Sequence, residues 1–224
     1  MKILVTGASS GIGFELVKQL CADHHDVFAT GRNKNKLTEL HQLTGCKFAS
    51  YDLTESQQVM DMFKQATEEL GGLDVLINNA GMNTRKCAID EFSLEEFEQQ
   101  YAINLRAPAI LCREALSLMK EQKSGYIINV TSTVAKRASE TMAVYTTMKQ
   151  GLAGFTGVLM KEAQPHGIKV TNLYPGGTDT NFRAASRPEY MQPESVARTI
   201  LGLLKLPEDV VVHEMVFRPL VELE

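Results

Sequence analysis

Tyr145 and Lys149 stand four residues apart in the run Tyr145-Thr146-Thr147-Met148-Lys149. On a helix this spacing puts both side chains on one face, one turn apart. A phenol beside an ammonium can transfer protons. Free phenol, with a pKa of about 10, is too weak an acid for work near neutrality, and a neighbouring cation favours its ionised form. Ser132 lies upstream, across a loop. A hydroxyl there can hold a carbonyl oxygen while the tyrosine moves the proton. Taken alone, a Tyr–Lys pair at this spacing is also an ordinary decoration of a helix surface. The rest of the chain must supply something for the trio to act on.

The N-terminus supplies it. Ile3-Leu4-Val5 is a short apolar run, as in a buried parallel strand, and it ends at Thr6-Gly7-Ala8-Ser9-Ser10-Gly11-Ile12-Gly13. An amphipathic helix follows from Phe14. Glycines permit a tight turn and close approach of a ligand, and a helix N-terminus offers free N–H groups to a pyrophosphate. The spacing is Gly-x-x-x-Gly-x-Gly, and its place at the front of a βαβ unit favours dinucleotide binding. The second strand, Asp26 to Thr30, ends at Gly31-Arg32-Asn33 with no carboxylate. A carboxylate at that strand end holds a ribose 2′-hydroxyl, whereas an arginine accommodates a 2′-phosphate. This favours NADP(H) over NAD(H).

The alternation of strand and helix continues. Lys34 to Leu43 reads as helix, and the third strand, Cys46 to Tyr51, ends at Asp52-Leu53. Asp52 suits either an adenine amino group or a loop cap. Thr54-x-x-Gln57 is a capping-box signature opening a helix that stops at Gly71-Gly72. The fourth strand, Leu73 to Ile77, runs into Asn78-Asn79-Ala80-Gly81, small and amide residues that leave room for a cofactor ribose. Ser93-x-x-Glu96 is a second capping box, opening a helical stretch through to about Gln122. Asn104 falls inside that stretch. It either bonds its own backbone or holds an ordered water, and Pro108 marks an irregularity nearby. A fifth strand, Gly125 to Val130, delivers Ser132 to a strand's carboxyl end, where open α/β sheets bind ligands. The Tyr145 helix, Ala143 to Gln164, is rich in small residues. A sixth strand, Ile168 to Tyr174, ends in Pro175-Gly176-Gly177-Thr178-Asp179-Thr180. A helix from Pro193 to Leu204 and a last strand from Val210 to Phe217 complete the pattern. The fold class is α/β: a single-domain, doubly wound Rossmann sheet of about seven parallel strands, spanning 1–224.

Composition narrows the partners. With 224 residues, 44% hydrophobic and 22% charged, the chain is ordinary globular protein with a core of normal size. A net charge of −4 gives no reason to expect nucleic acid or an anionic membrane as partner. No apolar run approaches the ~18 residues that span a bilayer. Cys21, Cys46, Cys87 and Cys112 are scattered without metal-ligand spacing, and read as reduced thiols of a cytoplasmic protein. No metal site is expected.

Together, Thr6-Gly7-x-x-x-Gly11-x-Gly13, Asp52, Asn78-Asn79-Ala80-Gly81, Asn104, Ser132, Tyr145-x-x-x-Lys149 and Pro175-Gly176 with Thr180 resemble the short-chain dehydrogenase/reductase family over nearly the whole chain. The resemblance implies hydride transfer between a nicotinamide and a ketone, aldehyde or 3-oxoacyl thioester, or the corresponding alcohol. It makes Tyr145 the acid–base group and Ser132 the group that orients the carbonyl. Lys149 would tune the tyrosine and bind the nicotinamide ribose, and Asn104 would hold a water that links Lys149 to solvent. Gly7, Ser9, Ser10, Gly11, Ile12 and Gly13 would cradle the pyrophosphate, and Arg32 with Asn33 the 2′-phosphate. Asp52, Leu53, Asn79, Ala80 and Gly81 would line the adenine and ribose sites. Pro175, Gly176, Thr178 and Thr180 would hold the carboxamide. A homodimer or homotetramer is implied. Three departures stand out. Ser10 occupies a position where many NADP users carry a basic residue, and Gly177-Thr178 replaces the more usual aliphatic residue after Pro-Gly. The lid segment from Asn181 to Gln192 is short, so the pocket is either open or completed by a partner subunit, and the substrate is left unspecified. The alternative is a non-catalytic, NADP(H)-binding redox sensor; such proteins typically lose the tyrosine or lysine kept here.

Overall fold

The computed structural model describes residues 1–180, 182 and 186–222. Its centre is a seven-stranded, wholly parallel sheet in the order β3-β2-β1-β4-β5-β6-β7. The strands are β1 (Lys2–Thr6), β2 (Asp26–Gly31), β3 (Lys47–Ser50), β4 (Val75–Asn78), β5 (Gly125–Val130), β6 (Ile168–Pro175) and β7 (Glu214–Phe217). The helices are α1 (Gly11–Ala22), α2 (Lys34–Thr44), α3 (Ser56–Leu70), α4 (Leu94–Tyr101), α5 (Ala107–Gln122), α6 (Ala143–Ala163) and α7 (Pro193–Leu204). The last strand is shorter than its apolar run suggests, because pairing with β6 begins only at Glu214.

Period-two alternation divides the core. Ile3 and Val5 face one way with Leu16, Leu20, Leu37, Leu40 and Ile200, so α1, α2 and α7 cover that face. Leu4 and Phe28 face the other way with Met62, Phe63, Leu111, Ala115 and Leu159, from α3, α5 and α6. With both faces covered, the strands are almost continuously apolar.

Two local expectations differ from what forms. The Thr54-x-x-Gln57 box does not cap α3. Asp52 Oδ1 instead takes the Thr54 N–H and hydroxyl, both at 2.9 Å, and the N-cap of α3 falls one residue later, at Glu55, with no side-chain bond there. Gln57 turns away to Asp61 at 3.0 Å. The long helical stretch is interrupted where Asn104 lies. Between α4 and α5, Ala102–Arg106 forms a π turn, with the Ala107 N–H reaching Ala102 O. The second box does form: Ser93 Oγ accepts from Glu96 N at 3.1 Å and Glu96 accepts from Ser93 N at 3.0 Å.

Asn78 is a cross-strand tie. Its Nδ2 donates to Asn129 Oδ1 at 2.8 Å, and Asn129 Nδ2 donates to Thr156 Oγ1 at 2.8 Å, which joins β4, β5 and α6. The Cys112 thiol borders this network, and burial pushes its pKa up to about 12, so it stays neutral. All four cysteines are free. Asn129→Ala takes the partner from one buried donor, Asn78 Nδ2, and one buried acceptor, Thr156 Oγ1, and should cost about 2–3 kcal/mol in urea unfolding. A loss below roughly 0.5 kcal/mol, the scale of a neutral surface substitution, would show the network to be dispensable.

Candidate active site

Strand order reverses between β1 and β4, and that switch point is where an open α/β sheet leaves a crevice beyond its carboxyl ends. The loop after β1 forms one lip. Gly7 and Gly11 have φ of 69° and 55°, in the left-handed region that favours glycine. A Cβ on Gly7 would lie 2.7 Å from Ala80 Cα, and one on Gly13 would lie 2.3 Å from Gly7 O. The loop therefore closes on itself and on the end of β4. Thr6 stitches the two lips: its Oγ1 accepts from Asn79 N at 3.1 Å and Ala80 N at 3.0 Å, while Asn79 Nδ2 donates to Thr6 O at 2.9 Å. Ser10 caps α1 without a side-chain bond, so the first-turn N–H groups stay available to an anion.

Towards β2, a Cβ on Gly31 would meet Ser9 Oγ at 2.8 Å, so this strand end has no room for a side chain. Arg32 is exposed there, with no carboxylate within 4.0 Å of its guanidinium among the described residues. Asn33 spends its Oδ1 on capping α2, accepting from Lys36 N at 3.1 Å. Asp52 forms the loop cap through Oδ1, and its neighbour Leu53 lies in the cleft wall.

The other end carries the trio. Lys149 is only 2% exposed and Tyr145 8%. Lys149 Nζ donates to Val130 O at 3.1 Å and sits 5.7 Å from the centroid of the Tyr145 ring. With no carboxylate beside it among the described residues, burial pushes the Lys149 pKa down to about 8. Ser132 caps the 3₁₀ turn Thr133–Lys136, its Oγ accepting from Val134 N at 3.4 Å. That turn is anchored by Lys136, which bonds Glu214 at 2.6 Å on β7. Phe182 packs against Tyr145 with ring centroids 5.8 Å apart. Residues 181 and 183–185 of the expected lid lie outside the described residues.

Asn104 stands behind the cleft. Its Oδ1 accepts from Met82 N at 3.1 Å, and its Nδ2 donates to Met82 O at 2.8 Å and Gln100 O at 3.0 Å. It thus clamps the loop after β4. A Cβ on Gly81 would lie 3.1 Å from Asn104 Oδ1 and 3.4 Å from Lys149 Nζ, which places clamp and ammonium side by side.

A continuous cleft of about 1040 Å³ runs from Arg32 to Tyr145. Gly7, Ser9, Ser10, Gly11, Ile12, Arg32, Asn33, Leu53, Asn79, Ala80 and Gly81 line it, with Ser132, Tyr145, Lys149, Pro175, Gly176, Thr178 and Thr180. Gly13, Asp52 and Asn104 support it from behind. Sequence reading missed Glu222, which folds back to accept from Gly177 N at 2.9 Å, and also missed Tyr190, which packs on Gly177. The only signal was the second glycine after Pro175, where a side chain would strike both residues. The cleft's length and its glycine cradle fit a dinucleotide.

The short chain dehydrogenase family model matches residues 1–191. The chain belongs to this family. An uncharacterised oxidoreductase of Staphylococcus aureus is 32% identical over 222 residues, with 96% of each chain covered. An alcohol dehydrogenase from the archaeon Thermococcus sibiricus, solved with 5-hydroxy-NADP, superposes with a TM-score of 0.89 at 26% identity, covering 98% of this chain and 97% of its own. Serine dehydrogenase from Escherichia coli gives 0.90 at 25% identity, covering 99% of each chain. This member of the family is thus an oxidoreductase by descent, built on a seven-stranded Rossmann-like sheet.

The buried ammonium has a thermodynamic signature. Lysine titrates near 10.4 in an unfolded chain, so a folded value of about 8 means a cost of roughly 3 kcal/mol at neutral pH. Between those values the unfolded chain binds the extra proton, and stability therefore rises with pH across that window. Lys149→Met should raise the urea midpoint at pH 7 and flatten this rise. An unchanged slope between pH 8 and 10 would contradict the assignment.

Proposed function

We propose that the protein is an NADP(H)-dependent oxidoreductase acting on a carbonyl or secondary-alcohol substrate: a ketone, an aldehyde or a 3-oxoacyl thioester. One observation carries the reading. Buried Tyr145 and Lys149 line one cleft with Ser132, and Arg32 lines its other end with no carboxylate partner among the described residues. The two ends are set by the sheet. Ser132 follows β5 and Arg32 follows β2, three strand spacings apart, or about 14 Å. That span suits a dinucleotide laid across the switch point. Similar structures support the cofactor class: the Thermococcus sibiricus enzyme was solved with 5-hydroxy-NADP and a metagenomic short-chain oxidoreductase with NADP.

The bound nicotinamide supplies the hydride in reduction and accepts it in oxidation. In reduction Ser132 donates a hydrogen bond to the substrate oxygen, and the Tyr145 hydroxyl gives that oxygen its proton; oxidation runs the same transfer backwards. The Lys149 ammonium donates to the ribose hydroxyls and stabilises negative charge on the phenol oxygen. Asn104 is a positioning residue that fixes Gly81 and Met82 beside the ammonium. The first-turn N–H groups of α1 hold the pyrophosphate, Arg32 the 2′-phosphate, and Gly176, Thr178 and Thr180 the carboxamide.

The test is NADPH consumption against aldehydes, ketones and 3-oxoacyl thioesters. Tyr145→Phe should lower turnover about 10²–10⁴-fold, the usual worth of a positioned acid, while NADPH affinity stays within roughly twofold. Retained turnover would refute the assignment. Arg32→Ala should weaken NADPH about 10–100-fold, as loss of charge-assisted bonds does, and leave NADH nearly unchanged. Equal losses would show that Arg32 does not read the 2′-phosphate.

A further inference from the structure

Arg137 closes the short turn that Ser132 opens: Ser132 is the N-cap of Thr133–Lys136 and Arg137 its C-cap. Both line the cleft at the Tyr145 end. Arg137 is half-buried, and its Nε is fully enclosed without a hydrogen-bond partner among the described residues. No carboxylate lies within 4.0 Å of its guanidinium among those residues. Among the described residues, the other arginines that line the cleft here are engaged: Arg85 bonds Glu96 at 2.8 Å, and Arg187 lies 3.5 Å from Glu189. Arg218, whose Nε is likewise enclosed, packs behind Gly176 and is not part of the lining. Lys86 is exposed. Arg137 is thus a partly desolvated cation held beside the reaction centre with no carboxylate partner among the described residues, a costly arrangement for a folded chain to keep.

We propose that the substrate carries a carboxylate and that Arg137 binds it, so that the reaction interconverts a short 2- or 3-hydroxy acid and its oxo acid. This rests on Ser132 and Tyr145 being the reaction centre. Ser132 and Arg137 are five residues apart, which at the roughly 2 Å rise of a 3₁₀ turn puts their Cα atoms about 10 Å apart. An arginine side chain and a two- or three-carbon substrate together fill that span. A planar carboxylate matches the guanidinium fork. A dianion fits less well, because the carboxylates of Glu140 and Glu222 line the same end. In oxidation the carbinol carbon loses a hydride to the oxidised nicotinamide and its hydroxyl loses a proton to Tyr145. The C–O bond becomes C=O, and the carboxylate is unchanged.

The experiment compares 3-oxobutanoate with its methyl ester, using NADPH, and measures 3-hydroxybutanoate binding to the NADPH complex by calorimetry. Wild type should favour the acid. Arg137→Gln should lower kcat/KM for the acid about 10–100-fold, mainly through KM, and weaken calorimetric binding to match, the scale of a lost charge-assisted bond. Ester turnover should stay within roughly threefold and doubles as the folding control; Arg137→Lys should fall between. Equal losses on acid and ester, an equal loss of NADPH affinity, or no binding of 3-hydroxybutanoate by wild type would overturn the proposal. Arg137-dependent acid binding without any Tyr145-dependent turnover would instead keep the anion site and overturn the oxidoreductase reading.

Discussion

A lysine ammonium kept out of water is the constraint on which this site depends. Lys149 projects from α6 under the end of β5, with Val130 O as its hydrogen-bond acceptor. Burial makes the charged form unfavourable, and the pKa falls to about 8. In such a setting the ammonium gains most from whatever oxygen atoms are brought to it. The Tyr145 phenol is beside it, with Lys149 Nζ 5.7 Å from the ring centroid, and the cleft admits the oxygen atoms of a ligand. The same low-dielectric setting strengthens the influence of the charge on its neighbours.

Much of the surrounding structure holds that lysine in place. The Asn78–Asn129–Thr156 chain ties α6 to the two central strands and sets its height above the sheet. The π turn carrying Asn104 lets its side chain reach the backbone of Met82, and this keeps Gly81 against the ammonium. Glycine at position 81 leaves the approach open. On the far lip, Thr6 and the left-handed glycines hold the glycine loop against the end of β4. The two lips come together because β1 and β4 are neighbours, a feature of topology and not of any local motif.

The legible parts of the sequence were those with a local physical cause. The fifth strand and the seventh helix fall where apolar runs and punctuation place them, at Gly125–Val130 and Pro193–Leu204. The glycine loop, the Tyr145–Lys149 turn and the Ser132 strand end were readable because spacing alone puts them on a known surface. What escaped depends on contacts far apart in the chain. Glu222 reaches Gly177 across 45 residues, and Thr6 reaches Asn79 across 73. Asp52 was ambiguous because a carboxylate three residues ahead of a helix serves a turn as readily as a ligand. The Thr54 box failed for the same reason, since Asp52 competes for the same donors. Arg137 was passed over because an arginine in a polar loop looks solvated until its surroundings are known.

The most direct test is the titration of Lys149 itself. Side-chain NMR on lysine-labelled, cofactor-free protein, with the resonance assigned by Lys149→Arg, reports its protonation without reference to turnover. The expected midpoint is near the value of about 8 set by burial. A midpoint close to the ordinary lysine value of about 10.4 would mean that the ammonium is hydrated, and would remove the electrostatic basis of the site.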